Sequence, residues 1–522
     1  MRPRWVRNAA RVIEITRVLL RYDLVAPVLD LLGRPAWLAP VAFVIDPLSR
    51  RVRARSNAPL RFGERWNLAA QELGPSFIKI GQALATRPDL IGDELSADLS
   101  GLQDRVPPVS AAAARAVIED ELQHPIAEIF AEFDDEPIAA ASIAQVHFAV
   151  TPDGRKVAVK VLRPGIAELF ARDLELFASM ADLAERWRPD LRRLKPKAVA
   201  RTIAEGVMME MDLRFEAAAA SELAENFAGD VGFRVPAIDW TRTAKRVLTQ
   251  ERVTGIRIDD LAAVEQAGLD IRLILRNAAE SFFNQVFRDG FFHADLHPGN
   301  LFVGADGALI AVDFGIMGRL DKPTRYYLAD MLLGFLTGDY ERVARIHFEA
   351  GYVPRTQSLA LFTQACRSIG EPLLSKPLVE ISIGRLLAQL FEVTENFQME
   401  TQPQLLLLQK TMVVAEGVGR SLDPSVNMWE LAQPLIEEWM RRNRGPEAKL
   451  IDATEAIAHG LERLPQLLAR AAEFDRNPNE VRLDPETVEA LAAAMGRRQT
   501  VLRSIATGVI AIILWSLLRA LL

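Results

Sequence analysis

HADLHPGN at residues 293–300, followed by DFG at residues 313–315, is the stretch of sequence that decides the fold. Asp295 precedes Asn300 by five positions, and Asp313 follows Asn300 by 13, with the hairpin-like run LFVGADGALIAV (301–312) between them. An aspartate at the first position can orient or deprotonate an attacking hydroxyl, and the oxygens of Asn300 and Asp313 are typical magnesium ligands. We therefore predict that Asp295 is catalytic and that Asn300 and Asp313 bind metal. His293 is expected to organise the loop.

A second pattern lies upstream, where SIAQVHFAV (142–150) and KVAVKVL (156–162) flank the turn residues TPDGR. This alternation around Asp-Gly predicts a β-hairpin, with Lys160 on its returning strand placed to contact nucleotide phosphates. Small residues open the hairpin and let backbone N–H groups approach phosphate oxygens; alanine resists positive φ, so this loop should be stiffer than a glycine loop. The predicted phosphate-binding residues are Ala139, Ala140, Ala141, Ser142, Ile143, Ala144, Gln145 and Val146.

A partly desolvated Lys160 needs a carboxylate partner to stay charged. The helical stretch MEMDLRFEAAA offers Glu210, Asp212 and Glu216. On a continuous helix Glu210 and Glu216 would point about 120 degrees apart. They are therefore expected to serve different partners, and the sequence leaves open which of the three carboxylates holds Lys160.

The four elements together occur in the order and spacing of a protein-kinase fold. We predict a helix-rich α+β, protein-kinase-like bilobal fold that uses ATP and Mg²⁺. Ala294 stands where such loops usually carry arginine, and no APE sequence follows residue 315. Control by a phosphorylated activation loop and a platform for peptide substrates are therefore not expected.

The composition of the chain indicates the cellular compartment and the surroundings of this domain. The 522 residues carry a formal charge of -7 and a single cysteine, Cys366, which excludes an internal disulfide and favours a reducing compartment. Residues 1–65 contain 13 arginines and 5 acidic residues. Within them, residues 1–34 mix apolar residues with arginines, which predicts a basic amphipathic helix that binds anionic lipid or packs on the main domain. No secretory signal and no nucleic-acid partner are expected.

The C-terminal residues have the pattern of a membrane-spanning segment. Residues 505–522 contain one charge, Arg519, and follow Arg497, Arg498 and Arg503. As a helix they would reach about 27 Å, close to the thickness of a hydrocarbon core. We predict this organisation: a basic helical region (1–65), a helical extension (66–130), an N-lobe (131–255), a helical C-lobe (256–470), a linker (471–503) and a transmembrane anchor (504–522). The main domain is expected on the cytoplasmic side, and a buried helix is the alternative for the anchor.

The same residues resemble the UbiB family of atypical kinase-like proteins. The family's KxGQ motif is similar to Lys79-Ile80-Gly81-Gln82, its alanine-rich loop to AAASIAQVH (139–147), and its ExD motif to Glu210-Met211-Asp212. The resemblance implies that Lys79 and Gln82 approach the nucleotide and the ExD carboxylates from helices that cover the cleft. It also implies ATPase or kinase-like activity that supports ubiquinone biosynthesis at the bacterial inner membrane. The implied partners are membrane lipids and quinone-biosynthesis enzymes or lipid precursors. Family members often have two C-terminal spans, whereas this chain shows one.

Three other interpretations fit parts of the sequence. A small-molecule or lipid kinase would use the same HxDxxxxN loop. A quinone-ring hydroxylase would hold iron with His293, Asp295 and either His347 or His459, and would leave Asn300 and Lys160 without a role. A lipid chaperone would use nucleotide binding without a phosphoryl acceptor.

Overall fold

The computed structural model describes residues 4–24, 61–85, 95, 98–99, 108–187, 196–375, 393–394, 396–399, 402–424 and 428–444. Residues 1–440 form one compact unit, and residues 441–522 form another, of which the description includes only the end of a helix. None of the helices in these ranges is long and apolar enough to cross a membrane. The predicted anchor at 504–522 lies outside the described residues, and the predicted domain boundaries stay predictions.

Helices dominate the described chain. In chain order they are α1 Arg4–Arg21, α2 Phe62–Leu73, α3 Pro75–Ala85, α4 Ala111–Leu122, α5 Ile126–Ile129, α6 Ile166–Trp187, α7 Pro196–Glu210, α8 Leu213–Asn226, α9 Leu261–Gln266, α10 Ile271–Phe283, α11 Lys322–Leu336, α12 Tyr340–Glu349, α13 Leu359–Ser375, α14 Pro403–Leu422 and α15 Met428–Arg444. The strands are β1 Glu132–Phe133, β2 Ala139–Ala140, β3 Ala144–Val150, β4 Lys156–Leu162, β5 Phe233–Arg234, β6 Val247–Glu251, β7 Ile256–Arg257, β8 Phe291–His293, β9 Leu301–Val303, β10 Leu309–Ala311 and β11 Met317–Arg319. The prediction of a helix-rich α+β fold is confirmed.

The first sheet is built around the predicted hairpin, β3 and β4, with strand order β1-β3-β4-β6 and β2 paired to β3. Gly154 takes a φ of 84° in the turn, a conformation that glycine adopts without steric cost. On one face, Val157, Val159 and Val161 pack beneath Val117 and Ile118 of α4. The other face carries Lys160, because side chains alternate along a strand. The hairpin therefore fixes which way this lysine points.

The second hairpin, β9 and β10, belongs to a sheet of order β5-β10-β9-β7, and β8 pairs with β11. Leu301, Val303 and Leu309 from this sheet pack with Ile274 and Leu275 of α10. A neighbouring cluster joins Phe292 of β8 to Leu408 of α14 and Trp439 of α15. Helices from the far end of the described chain are thereby anchored beside the strand that leads into the HADLHPGN loop.

The basic helix α1 packs on the rest of its unit. Val18 and Leu24 lie against Ala69 and Leu73. Arg11, 5 % exposed, donates to both carboxylate oxygens of the fully buried Asp173 at 3.0 and 2.8 Å, and to the carbonyl oxygen of Leu73 at 2.9 Å. Of the two alternatives for this helix, the structure supports packing on the main domain.

Candidate active site

Lys160 on β4 is the centre of a charge cluster in which Glu216 is buried and Asp313 is half-exposed. Its ammonium donates to the two carboxylate oxygens of Glu216 at 2.8 and 3.0 Å and to Oδ1 of Asp313 at 3.0 Å. The structure thus selects Glu216, near the start of α8, as the acidic helix partner that the sequence left open. Glu210 and Asp212 have other partners, as described below.

The charges in this cluster control one another. Burial alone would lower the pKa of Lys160, but the carboxylates of Asp313 and Glu216 outweigh it and raise that pKa above its ordinary value. Burial, reinforced by the charge of Asp313 and opposed by Lys160, raises the pKa of Glu216 to about 7. The charge of Lys160 holds the pKa of Asp313 well below its usual range. Asp313 is therefore ionised at neutral pH, whereas Glu216 changes charge there.

Asp313 has an unusual backbone conformation. Its φ is 63°, in the left-handed region that non-glycine residues seldom adopt and that costs about 1–3 kcal/mol. The neighbouring residues hold it there: the Val312 amide donates to the Asn300 carbonyl at 2.9 Å, and Phe314 is buried against the His293 ring. Half of the Asp313 side chain is exposed. Strain at an exposed, ionised carboxylate is typical of a functional site.

His293 holds the HADLHPGN loop with two hydrogen bonds, which agrees with the organising position expected from the sequence. The buried ring accepts a hydrogen bond at Nδ1 from the Asp295 amide (3.1 Å), so Nε2 carries the proton that it donates to the Val312 carbonyl (3.3 Å). Burial lowers the pKa of His293, which keeps the ring neutral. The Asn300 amide group donates to the Asp295 carbonyl at 3.1 Å. This leaves the amide oxygen of Asn300 as the atom that can accept a cation.

Lys410 is a site residue that the sequence analysis missed. It lies on α14, and its Nζ is 3.0 Å from Oδ1 of Asp295, the candidate catalytic carboxylate. The two residues are 115 positions apart in the chain. The available signal was weak: Lys410 is the single charged residue in the apolar run 403–415.

The alanine-rich loop forms the tight bend between β2 and β3. The Ala141 amide donates to the Ala144 carbonyl at 2.8 Å, and none of residues 139–146, all of which are described, has a positive φ. The prediction that this loop is stiffer than a glycine loop stays a prediction. Val146 pairs with Lys160 and shares its face. Gln145 faces the other way, and its Oε1 accepts from the Val109 amide at 2.9 Å. The Gln145 side chain therefore points away from Lys160. Only the backbone of Gln145 could contact a phosphate there, as predicted for this loop.

The KxGQ residues lie on α3. Lys79 pairs with Glu210 at 2.9 Å, the contact between these two motifs that the resemblance implied, and Gln82 follows one helical turn later. Asp212 caps α8 by accepting from the Arg214 amide at 3.2 Å, and the Arg214 guanidinium lowers the pKa of Asp212. The chain thus breaks between α7 and α8, so the stretch read as one helix is two.

Comparison with known proteins identifies the family. The ABC1 atypical kinase-like domain matches residues 101–347, and the UbiB helical domain matches residues 366–427. A protein of Marinobacter nauticus described as probable protein kinase UbiB is 46% identical over 409 residues, 78% of this chain and 75% of that protein. A protein of Azotobacter vinelandii with the same description is 42% identical over 461 residues, which are 88% of this chain and 84% of that protein. The chain belongs to the UbiB family. This is the family of atypical kinase-like proteins implicated in ubiquinone biosynthesis. A solved Mycobacterium tuberculosis structure, a complex of Rv3197 with erythromycin, is 28% identical and covers 69% of this chain and 92% of its own, with a TM-score of 0.48.

The two UbiB domains both contribute to the site described here. Lys160, Asp295 and Asp313 lie in the ABC1 kinase-like match, and Lys410 lies in the UbiB helical domain. The KxGQ lysine, Lys79, precedes both matches. The side chains around the cleft therefore come from three separate parts of the sequence.

The iron-site interpretation finds no support among the described residues, which contain no group of three or more His, Cys, Asp or Glu side chains that could hold a metal. His347 lies in a different part of the UbiB chain, where it packs against Tyr352 and Phe362. Burial lowers its pKa. His459 lies outside the described residues. The family assignment favours the kinase-like interpretation over a hydroxylase.

The residues present fit a magnesium-bound nucleotide. The strained Asp313 supplies an ionised carboxylate, and Asn300 supplies an amide oxygen, which are ligands that magnesium prefers. Lys160 supplies a fixed cation next to them. In the UbiB chain, this donor set is consistent with binding of a phosphate-bound divalent cation.

Proposed function

We propose that this chain binds ATP with Mg²⁺ and transfers or hydrolyses the γ-phosphoryl group, as an atypical kinase-type enzyme that supports ubiquinone biosynthesis at the bacterial inner membrane. The contact of Lys160 with both Glu216 and Asp313 carries the proposal. It joins the predicted phosphate-binding lysine to the predicted metal ligand across 153 residues of sequence. The membrane lipids, quinone-biosynthesis enzymes or lipid precursors that the family implies are the proposed partners.

Each residue has a defined task in the proposed reaction. Lys160, held by Glu216, binds the α- and β-phosphates. Asp313 and the oxygen of Asn300 would hold magnesium, which would neutralise charge on the phosphate oxygens. Asp295 orients the attacking oxygen and accepts its proton. The bond from the γ-phosphorus to the ADP oxygen breaks as a bond to the attacking oxygen forms. With water as the acceptor, the products are ADP, phosphate and a proton.

Asp313→Asn tests the proposal, because it removes the charge that holds both Lys160 and the metal. We expect magnesium-dependent ATP turnover to fall by about 100-fold or more, the usual scale for losing one electrostatic group in an active site. Asp306→Asn is the matched control, since Asp306 lies on the β9–β10 turn and pairs with Arg234 at the surface. Unchanged turnover together with unchanged nucleotide affinity in Asp313→Asn would refute the proposed site.

The acceptor is identified by following the γ-phosphate of labelled ATP in the presence of membranes and quinone precursors. Label in a lipid or small molecule would identify a lipid or small-molecule kinase, and label in protein a protein kinase. Label released as inorganic phosphate alone would identify an ATPase, the reaction that a lipid chaperone would use.

For the location, we propose that residues 504–522 anchor the chain in the bacterial membrane with the main domain in the cytoplasm. The support is the length of the apolar run and the arginines before it, which stay on the cytoplasmic side. A chain that ends after Thr500 should be released from membranes by a high-salt wash, while the full chain stays bound. Complete retention of the shortened chain would disprove the anchor.

A further inference from the structure

Packing of its neighbours holds the backbone of Lys410, whereas its side chain is partly exposed to water. Leu408 and Thr411, on either side of it in α14, are 6 % and 1 % exposed, so packing holds this part of the helix in place. The lysine side chain itself is 36 % exposed, and so is its partner Asp295, at 37 %. An ion pair this accessible to water contributes little to folding stability. Stability therefore does not explain why a cation lies in the otherwise uncharged segment 403–415 of α14, beside the candidate base.

The position of this cation relates it to the reacting atoms. A general base must come within about 2.6–3.2 Å of the hydroxyl that it activates. The attacked phosphorus is next to that hydroxyl, in line with the leaving oxygen. Lys410 Nζ, at 3.0 Å from Asp295 Oδ1, is thus within reach of a phosphoryl group in transfer. Lysine suits such a task because its flexible stem and three donors follow a moving oxygen.

The other lysines near the site already have different tasks. Lys160 is held between Glu216 and Asp313, and Lys79 is paired with Glu210. Lys410 is the lysine whose described carboxylate partner is the candidate base itself. An acceptor oxygen that took the place of Lys410 at Asp295 would release the ammonium next to the incoming phosphate.

We propose that Lys410 leaves Asp295 when nucleotide binds and donates to the oxygens of the terminal phosphoryl group, so that the UbiB helical domain completes the active site with a phosphate-binding cation. This inference rests on the proposed function and adds to it a residue for the γ-phosphate. In the transfer step, Lys410 neutralises charge on the phosphoryl group and gives up no proton, while Asp295 accepts the proton of the attacking oxygen.

The test compares the affinities of ADP and of the non-hydrolysable ATP analogue AMP-PNP, both with magnesium, by calorimetry. A side chain that contacts the terminal phosphate strengthens binding of the analogue and leaves ADP unaffected. For Lys410→Met we expect the analogue to bind about tenfold more weakly, or about 1.4 kcal/mol, with ADP affinity changed by less than about twofold. Lys410→Arg should retain most of the affinity, because a charge-assisted hydrogen bond survives.

Arg420→Gln is the matched control, since Arg420 is a cation on the same helix that pairs with Glu416 at 2.9 Å. It should change neither affinity. Melting temperatures of all variants report whether the fold is kept, and Lys410→Gln replaces Lys410→Met should the latter unfold. Turnover of Lys410→Met should fall together with analogue affinity.

Three results would overturn the inference. Equal losses for ADP and the analogue would show a general structural effect. Unchanged affinities would show that Lys410 does not contact the terminal phosphate. Higher turnover in Lys410→Met would show that the pair with Asp295 blocks the site. In each of these cases the proposed function still stands if the wild type binds nucleotide and Asp313→Asn does not. A wild-type chain that binds neither nucleotide would refute both the proposed function and the inference about Lys410.

Discussion

Replacing Glu216 with glutamine should remove the pH dependence of ATP turnover near neutrality. Glu216 holds Lys160 by charge, and burial raises its pKa to about 7. As the pH falls through 7, Glu216 takes up a proton and loses its hold on Lys160. Lys160 is then left with Asp313, the carboxylate proposed to bind the metal. Turnover should therefore depend on the ionised form of Glu216 and fall on the acidic side.

The size of the effect follows from this pKa. An acid with a pKa of about 7 is about nine-tenths ionised at pH 8 and about one-tenth ionised at pH 6, so kcat/KM should fall about tenfold between them. Glu216→Gln resembles the protonated form at every pH. Its kcat/KM should be flat over this range and lie below the wild-type value at pH 6, where about one-tenth of the wild type still has an ionised Glu216.

The assay is magnesium-dependent phosphate release measured from pH 6 to pH 8 for the wild type and the two variants Glu216→Gln and Glu222→Gln. Glu222 is the matched control, because it lies on the same helix and pairs with Arg319 away from Lys160. Its variant should keep the wild-type slope, including any contribution from titration of ATP. A Glu216→Gln profile that keeps the wild-type slope would refute the assignment of the pH dependence to this carboxylate.

Two predictions concern stability. Arg11→Met should lower the unfolding free energy in urea by about 3 kcal/mol, because it leaves the buried carboxylate of Asp173 without its main partner. This value is at the low end for such a change, since Arg172 remains 3.4 Å from Asp173. Adding Asp173→Leu should recover most of the lost stability, and a loss below about 1 kcal/mol in Arg11→Met would contradict the role of this pair. Gly318→Ala should cost about 1–3 kcal/mol in thermal unfolding, because a Cβ there would overlap the buried Phe292 ring. Gly206→Ala, in open space on α7, should raise stability, and equal effects of the two glycine changes would contradict the packing argument.

The sequence predicted well those parts of the site that local chain geometry determines. A hairpin with an Asp-Gly turn fixes the direction of Lys160, and the short hairpin between Asn300 and Asp313 brings those two residues together. These arrangements need only a few neighbouring residues, so spacing reveals them. The left-handed φ of Asp313 needed coordinates, because nothing in the letters DFG distinguishes a strained aspartate from a relaxed one.

The residues that pair with Lys160 and Asp295 could not be predicted from the sequence, because these pairs depend on how helices pack. Three carboxylates within seven positions all fitted Lys160, and the break between α7 and α8 decided among them. That break places Glu216 in a new helix and leaves Glu210 for Lys79. Lys410 was missed because its partner lies more than 100 residues away and a lone lysine on a helix is usually a solvated charge.

The contact of α14 with the HADLHPGN loop has a consequence for biosynthesis. During translation the loop leaves the ribosome well before Lys410, which follows Asp295 by 115 residues. A nascent chain that already contains the strands of all three described sheets would still lack α14, whose Leu408 packs with Phe292 of β8. The core around Phe292 and the pairing of Asp295 with Lys410 therefore form only after α14 has been made, and a premature stop between these segments would leave both incomplete.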